Sequence, residues 1–369
     1  MRGNTRVITY LTNTRPGFHE SMGLEAVPIF NRHLRKLPGT KRPNIDLFIH
    51  SDGGDGIVPW RLVNLLREYC TELTLLVPHR AFSAATLLAL GCDKVIMGPM
   101  GHLGPTDATV NHPFNPLDPL RRNQLMPISV EDVSSFIAMV REDVGIRHED
   151  ELVQAFNILA RKVHPLALGN VKRSTSQSRQ MGIKLLNKRV APPSLTDHDV
   201  TELVDKLTSR QYFHGHTIGR AEAKDDLKLT FVEDAHPDVA EAMWALYEAY
   251  AEDMQLERDF DFMLEAMGGS PPAIPAPPKM GKAGDLPEPP PTVVTRTLEP
   301  LVATVIESTG RLDRKLVQFE VTLTRDWKGS IDSTGPMIVA DHWEVVDDAP
   351  AATAAKETKD AASGENAKA

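Results

Sequence analysis

The chain has 369 residues, 41% of them hydrophobic, a net charge of −9 and two cysteines, Cys70 and Cys92. That apolar content excludes wholesale disorder, and the acidic balance argues against a nucleic-acid binder, whose surface must neutralise phosphates. Two cysteines without metal-ligand spacing make neither a disulfide framework nor a zinc cluster, and no apolar run approaches the ~20 residues that span a bilayer or the length of a signal sequence. The expectation is a soluble, cytoplasmic protein without a membrane span.

A first strand is expected over 7–12 and a helix-like portion over 25–34, followed by a basic, proline-broken connector over 36–43. The next three apolar runs, 45–50, 73–77 and 94–97, alternate with helical segments at 58–69 and 87–90. Strands without a polar face, alternating with helices, predict a buried parallel sheet, and ligand sites in such sheets form outside the carboxyl ends of the strands. Gly53-Gly54 follows one strand end within Ser51-Asp52-Gly53-Gly54-Asp55-Gly56, and Ser83 follows the next within Ala81-Phe82-Ser83-Ala84-Ala85-Thr86. Paired glycines let a backbone present its N–H groups at close range, and a serine at a helix start sits in a positive field. One strand end could supply oxyanion donors and the other a nucleophile. The plainer reading makes Ser83 a helix N-cap.

Beyond Asp107 the pattern changes. Pro113, Pro116 and Pro119 mark an irregular loop, and helices are expected at 129–140 and 149–163. A further helix is expected over 170–188, with Asn170 as its cap and Lys172 in its first turn, where the helix field favours a neutral lysine able to accept a proton. His214 and His216 would share one side of a strand, yet no third ligand is evident, so neither a metal nor a cofactor is expected. A turn, a helix at 220–227 and a strand at 228–232 close this region. The domain reading is a main domain over 1–236 with a helical insertion at 111–170, an amphipathic helical segment at 237–267, and a proline-rich linker at 268–292. A small β-rich element at 293–346 and a disordered tail at 347–369 complete it.

The order strand, His50-Ser51-x-Gly53-Gly54, helix, strand, Ser83-Ala84-Ala85-Thr86, helix, strand, Leu103-Gly104-Pro105-Thr106-Asp107 resembles the Clp-type serine peptidases. Within them it is most similar to the serine dehydrogenase proteinase family, relatives of the signal peptide peptidases. The resemblance resumes over 164–173 and 212–229. It implies an α/β fold with a ClpP/crotonase-like core of repeated ββα units, a helical insertion and a small carboxyl-terminal β element. It further implies Ser83 as nucleophile, Gly53 and Gly54 as the oxyanion hole, and Lys172 as the counterpart of the lysine in Ser-Lys dyads. His214 lies near the place of the triad acid. Thr106 stands where a triad histidine is expected, which favours Lys172 as the base. The family commonly has proline before the glycine pair, where this chain has Asp52.

The resulting expectation is a serine endopeptidase acting on soluble peptides or unstructured protein segments, and assembled as a homo-oligomer. No phosphate-binding ATPase motif is present, so unfolding of substrates would need a separate ATPase or adaptor. The alternative is a catalytically inactive Clp-like scaffold or binding subunit, which a carboxylate at Asp52 and the open choice of base would favour. An acyl-CoA enzyme of the crotonase type is disfavoured, because such enzymes need no serine at position 83.

Overall fold

The computed structural model describes residues 5–37, 42–106, 109–110, 113–117, 125–126, 128–189, 196–207, 216–268, 272–276 and 290–347. Two compact units are present, the first taking most of the chain from Met22 to Trp244, the second taking Ile8–Ser21 and the chain from Ala245 onward.

The first unit is built on four parallel strands in the order Val232–Asp234, Lys94–Met97, Leu73–Val77, Asn44–His50. Ile45 lies opposite Leu73 and Phe48 opposite Leu76, while Thr74 faces Lys94 and Val77 faces Met97. Ile45, Leu47, Phe48 and Ile49 are fully buried, as strands covered on both faces require. Each such side chain contributes about 1.5–3 kcal/mol on burial. The helix Val58–Tyr69, with proline in its first turn, follows the strand Asn44–His50, and the fully buried helix Ala84–Leu90 comes after the strand Leu73–Val77. Arg67 and Asp93 form an ion pair, and Asp93 Oδ2 accepts the Leu73 N–H at 2.8 Å, tying helix to strand start.

Beyond the strand ends, short extended segments lie side by side. Arg80–Ala81 pairs in parallel with His102–Leu103, Ser51 bridges to Ala81, and Leu103 bridges to Ile218. This row carries the turns that hold Gly53, Ser83 and Thr106.

The helical region comprises Val130–Ala138, continued by a π-turn over Met139–Asp143, then Glu149–Lys162 and Pro165–Leu186. The last of these corrects an expectation. The helix foreseen over 170–188 starts at Pro165, where proline's fixed φ suits the first turn, and His164 Nδ1 accepts the Leu166 N–H at 3.2 Å as its cap. Asn170 is therefore inside the helix.

In the second unit, Ile8–Thr12 runs antiparallel to Thr304–Ser308, and Leu301–Ser308, Thr292–Thr297 and Ile331–Asp347 all pair with the long strand Arg311–Arg325. Phe18, Phe260, Val317 and Phe319 anchor its core. The amphipathic segment expected over 237–267 as one long helix or a helix pair forms a pair, Pro237–Asp253 and Phe262–Met267. Most of the proline-rich stretch and the tail from 348 onward lie outside the described residues.

Candidate active site

Ser83 and Gly53, thirty residues apart, meet at the ends of adjacent strands. A Cβ placed on Gly53 would stand 2.7 Å from Ser83 Cβ, 2.7 Å from Phe82 O and 2.9 Å from Ala84 N. No side chain fits there, and Gly53 has φ +101°, a conformation that glycine alone adopts freely. A Cβ on Gly54 would fall 2.4 Å from Met22 N. Met22 clamps the turn from that side, its N–H donating to Gly53 O at 2.7 Å and its carbonyl accepting from Asp55 at 3.0 Å.

Ser83 itself has φ +51° and ψ −114°, outside the regions that non-glycine residues populate at little cost. It sits immediately before the helix Ala84–Leu90, yet its side chain makes no capping hydrogen bond. The N-cap reading thus has no bond to support it. Strained strand-to-helix turns of this sort are how hydrolases present a serine hydroxyl. Ser83 is half-buried, and among the described residues its hydroxyl has no hydrogen-bond partner.

Of the two glycine amides expected as donors, one is engaged within its own turn. Gly53 N–H donates to Ser51 Oγ at 3.0 Å, so that amide is already engaged. Among the described residues the N–H groups of Gly54 and Ala84 are not taken by any acceptor. Gly53 leaves room for the Ser83 turn by lacking a side chain.

Two arrangements hold the turns around Ser83. Thr86 Oγ1 lies 2.7 Å from Ala81 O and 2.9 Å from Gly104 O, and accepts the Gly104 N–H at 3.0 Å. Thr106 is buried, its N–H donating to Leu207 O at 2.8 Å and its carbonyl accepting from Ser178 Oγ at 2.6 Å. Asp52 does not aim an uncompensated carboxylate at the site, since Arg80 Nη1 lies 3.2 Å from its Oδ1.

Candidate bases are spread apart in their settings. Lys172 is exposed and lies about two turns inside its helix, so the first-turn field invoked for it is absent. His214 and Asp107 lie outside the described residues. His216 Nε2 is 2.8 Å from Glu222 Oε1, and two residues on, Ile218 bridges to Leu103. His102 Nδ1 is 2.8 Å from Met100 O. Cys70 and Cys92 are buried, and burial pushes their thiols up to about 11 and about 12, which removes them as rival nucleophiles. Among the described residues no cluster of side chains suits a metal ion, and no helix is long and apolar enough to cross a membrane.

Sequence reasoning missed the Arg80–Asp52 pair, the Glu222 partner of His216, and a stacked pair formed by His50 and His79. The only available signal was a histidine or arginine closing an apolar strand, which is weak.

Residues 8–140 match the family model described as ClpP-like SDH-type serine proteinase, a span that contains the stretch from Asp46 to Asp107, where the resemblance is densest, and not the later blocks over 164–173 and 212–229. An uncharacterized protein of Methanocaldococcus jannaschii, MJ0137, is 25% identical over 271 residues, 70% of this chain and 78% of that protein. A second from the same organism, MJ1495, is 35% identical over 66 residues, 18% of this chain and 23% of its own. Among solved structures, ClpP1 from Listeria monocytogenes covers 63% of this chain and 94% of its own at 11% identity, with a TM-score of 0.32. The 1510-N membrane-bound stomatin-specific protease covers 57% and 99% at 13% identity, with a TM-score of 0.25.

Proposed function

We propose that this chain, ClpP-like in fold and matched over residues 8–140 by a serine proteinase family, is a serine endopeptidase that cleaves soluble peptides or unstructured protein segments at Ser83. The observation that carries this reading is the strained Ser83 set against Gly53, with the untaken amides of Gly54 and Ala84 on either side. Ser83 Oγ attacks the scissile carbonyl, and the Gly54 and Ala84 N–H groups receive the developing oxyanion. Collapse of the tetrahedral species expels the amine, and water then hydrolyses the acyl-enzyme.

The proton of Ser83 must pass to a base and on to the leaving amine. His216 is the better supported acceptor. His216 is part-buried and already aligned by a carboxylate, the arrangement that orients a proton-shuttling imidazole. Lys172 is the competing assignment, and its setting two turns inside a helix supports it less.

The inactive-scaffold reading draws on Asp52 and on the open choice of base, and the Arg80 contact weakens the first of these. Self-association is part of the proposal. Val153, Phe156, Ile158 and Leu166 expose apolar side chains on the helical region, a surface that a second copy would cover.

The test is labelling by a fluorophosphonate probe. Wild-type protein should be labelled at one site and Ser83→Ala not at all. Equal labelling of both would end this reading.

A further inference from the structure

Two histidines stand behind the catalytic turns, and the proposed reaction uses neither. His50 ends the strand Asn44–His50 and is fully buried, and the next residue begins the turn that holds Gly53 and Gly54. His79 is half-buried and lies between the strand Leu73–Val77 and the segment leading to Ser83. Their rings stack, with centroids 5.4 Å apart and planes at 28°. Trp244 meets His79 edge-on, at 6.2 Å and 68°. Alongside, Ser51 N donates to Arg80 O at 3.1 Å, and Phe82 N donates to Ser51 O at 3.0 Å. The backbone ladder sets the turns side by side, and the ring stack fills the space at their roots.

We propose that His79, stacked on His50, is a positioning residue for the Ser83 reaction, holding the oxyanion turn and the nucleophile turn at their working separation while both rings are uncharged. This rests on the serine peptidase reading above.

The surrounding charges argue for neutral rings. On its own segment His79 is followed by Arg80. From the neighbouring extended segment it faces His102, whose N–H donates to His79 O at 2.7 Å. From the first strand it meets His50, and from the helix Pro237–Asp253 the uncharged Trp244. Of these groups Asp52 would welcome a proton on His79, and Asp52 is already held by Arg80. Burial first, then Arg80 and His102, push His79 down to about 4, and burial with the same arginine holds His50 well below the ordinary histidine range. A proton on His79 would repel Arg80 and compete with it for Asp52, opening the stack and the ion pair together.

The experiment uses the full chain and the fluorophosphonate probe across the acid and neutral range, with tryptophan emission followed in parallel. At neutral pH, His79→Ala should be labelled ~10- to 100-fold more slowly, the loss expected for a sub-ångström to ångström misplacement of reacting groups. His79→Phe, which keeps the flat ring, should restore most of that rate. In acid, the wild-type log rate should fall more steeply than one proton allows, while His79→Phe follows a single proton. Wild-type emission should be quenched with a midpoint near the His79 ionisation, and this step should vanish in His79→Phe and in Trp244→Phe. A wild-type labelling rate in His79→Ala, or an unchanged acid slope in His79→Phe, would overturn the proposal. Should His79→Ala not fold, the phenylalanine variant and the emission titration decide it. Failure of the peptidase reading looks different: wild-type protein would then take no label at any pH, while the emission step would still report the stack.

Discussion

Arg80 Nη1 lies 3.2 Å from Asp52 Oδ1, with each side chain 31% exposed, and this contact turns the residue before the glycine pair away from being an isolated anion. A pair so accessible to solvent adds little to stability, about 0–1 kcal/mol. Its weight should fall on the reaction, because an uncompensated carboxylate beside the turn opposes charge developing at the oxyanion. Arg80→Met should lower kcat by about tenfold or more with almost no change in thermal midpoint, and adding Asp52→Asn should return most of it. A double variant as slow as Arg80→Met alone would show that the arginine acts otherwise.

Ser83 is strained in a way that can be read from stability. A non-glycine residue at φ +51° and ψ −114° carries a cost of about 1–3 kcal/mol. Ser83→Gly should remove probe labelling while raising stability by about 1 kcal/mol, whereas Ser83→Ala should remove labelling with stability almost unchanged. Denaturant midpoints compared at constant slope make the measurement. A glycine variant less stable than the alanine variant would contradict the strain.

Gly53 and Gly54 should fail for different reasons. An added Cβ at Gly53 meets Ser83 Cβ and Phe82 O, so Gly53→Ala pushes directly on the nucleophile turn. At Gly54 the clash is with the Met22 backbone, on the far side of the turn. Both changes should destabilise by about 1–3 kcal/mol, the usual cost of overpacking. Only Gly53→Ala should keep probe labelling undetectable in the fraction that stays folded, while Gly54→Ala, whose amide remains, should retain slow labelling.

How much of this was legible beforehand depended on distance along the chain. The strands Asn44–His50, Leu73–Val77 and Lys94–Met97 announce themselves as apolar runs bounded by glycine, proline and charge. The meeting of Gly53 with Ser83 follows from their places at adjacent strand ends, and parallel pairing makes those ends neighbours. The Arg80–Asp52 and His50–His79 contacts were not legible, because they depend on where side chains point at two loop roots nearly thirty residues apart. The start of the Lys172 helix was misjudged for a local reason: Asn170 is a good cap, but His164-Pro165 is a better helix start. The pairing of Ile8–Thr12 with Thr304–Ser308 was out of reach, since nothing in either segment specifies a partner three hundred residues away.

Acid should weaken the fold through the same two histidines. In the unfolded chain a histidine binds its proton near ~6.5. Folded, His79 does so only at about 4 and His50 is held well below the ordinary range, in both cases through burial first. Between these values the unfolded state holds more protons, so stability rises with pH. The contribution is fully present above ~6.5 and is lost as pH falls through about 4. Urea midpoints should therefore decline over that window, and the decline should be shallower in His79→Phe. An identical decline in the variant would place the acid sensitivity elsewhere.

The proton path is decided at Lys172 and His216. The case for a lysine base was its place in a helix first turn, where the field of the peptide dipoles opposes a cation. With the helix starting at Pro165, Lys172 stands about two turns inside, exposed, and that field has faded. His216 by contrast is part-buried with Nε2 at 2.8 Å from Glu222 Oε1, a contact that fixes the orientation of its ring. Removing a general base costs ~10²- to 10⁴-fold in rate, far more than trimming a surface lysine. Lys172→Met should keep kcat/KM within about threefold of wild type. His216→Gln should lose at least the lower end of that range, and Glu222→Gln should lose less. If Lys172→Met is the silent variant and His216→Gln the active one, the lysine takes the proton and the Glu222 contact is only structural.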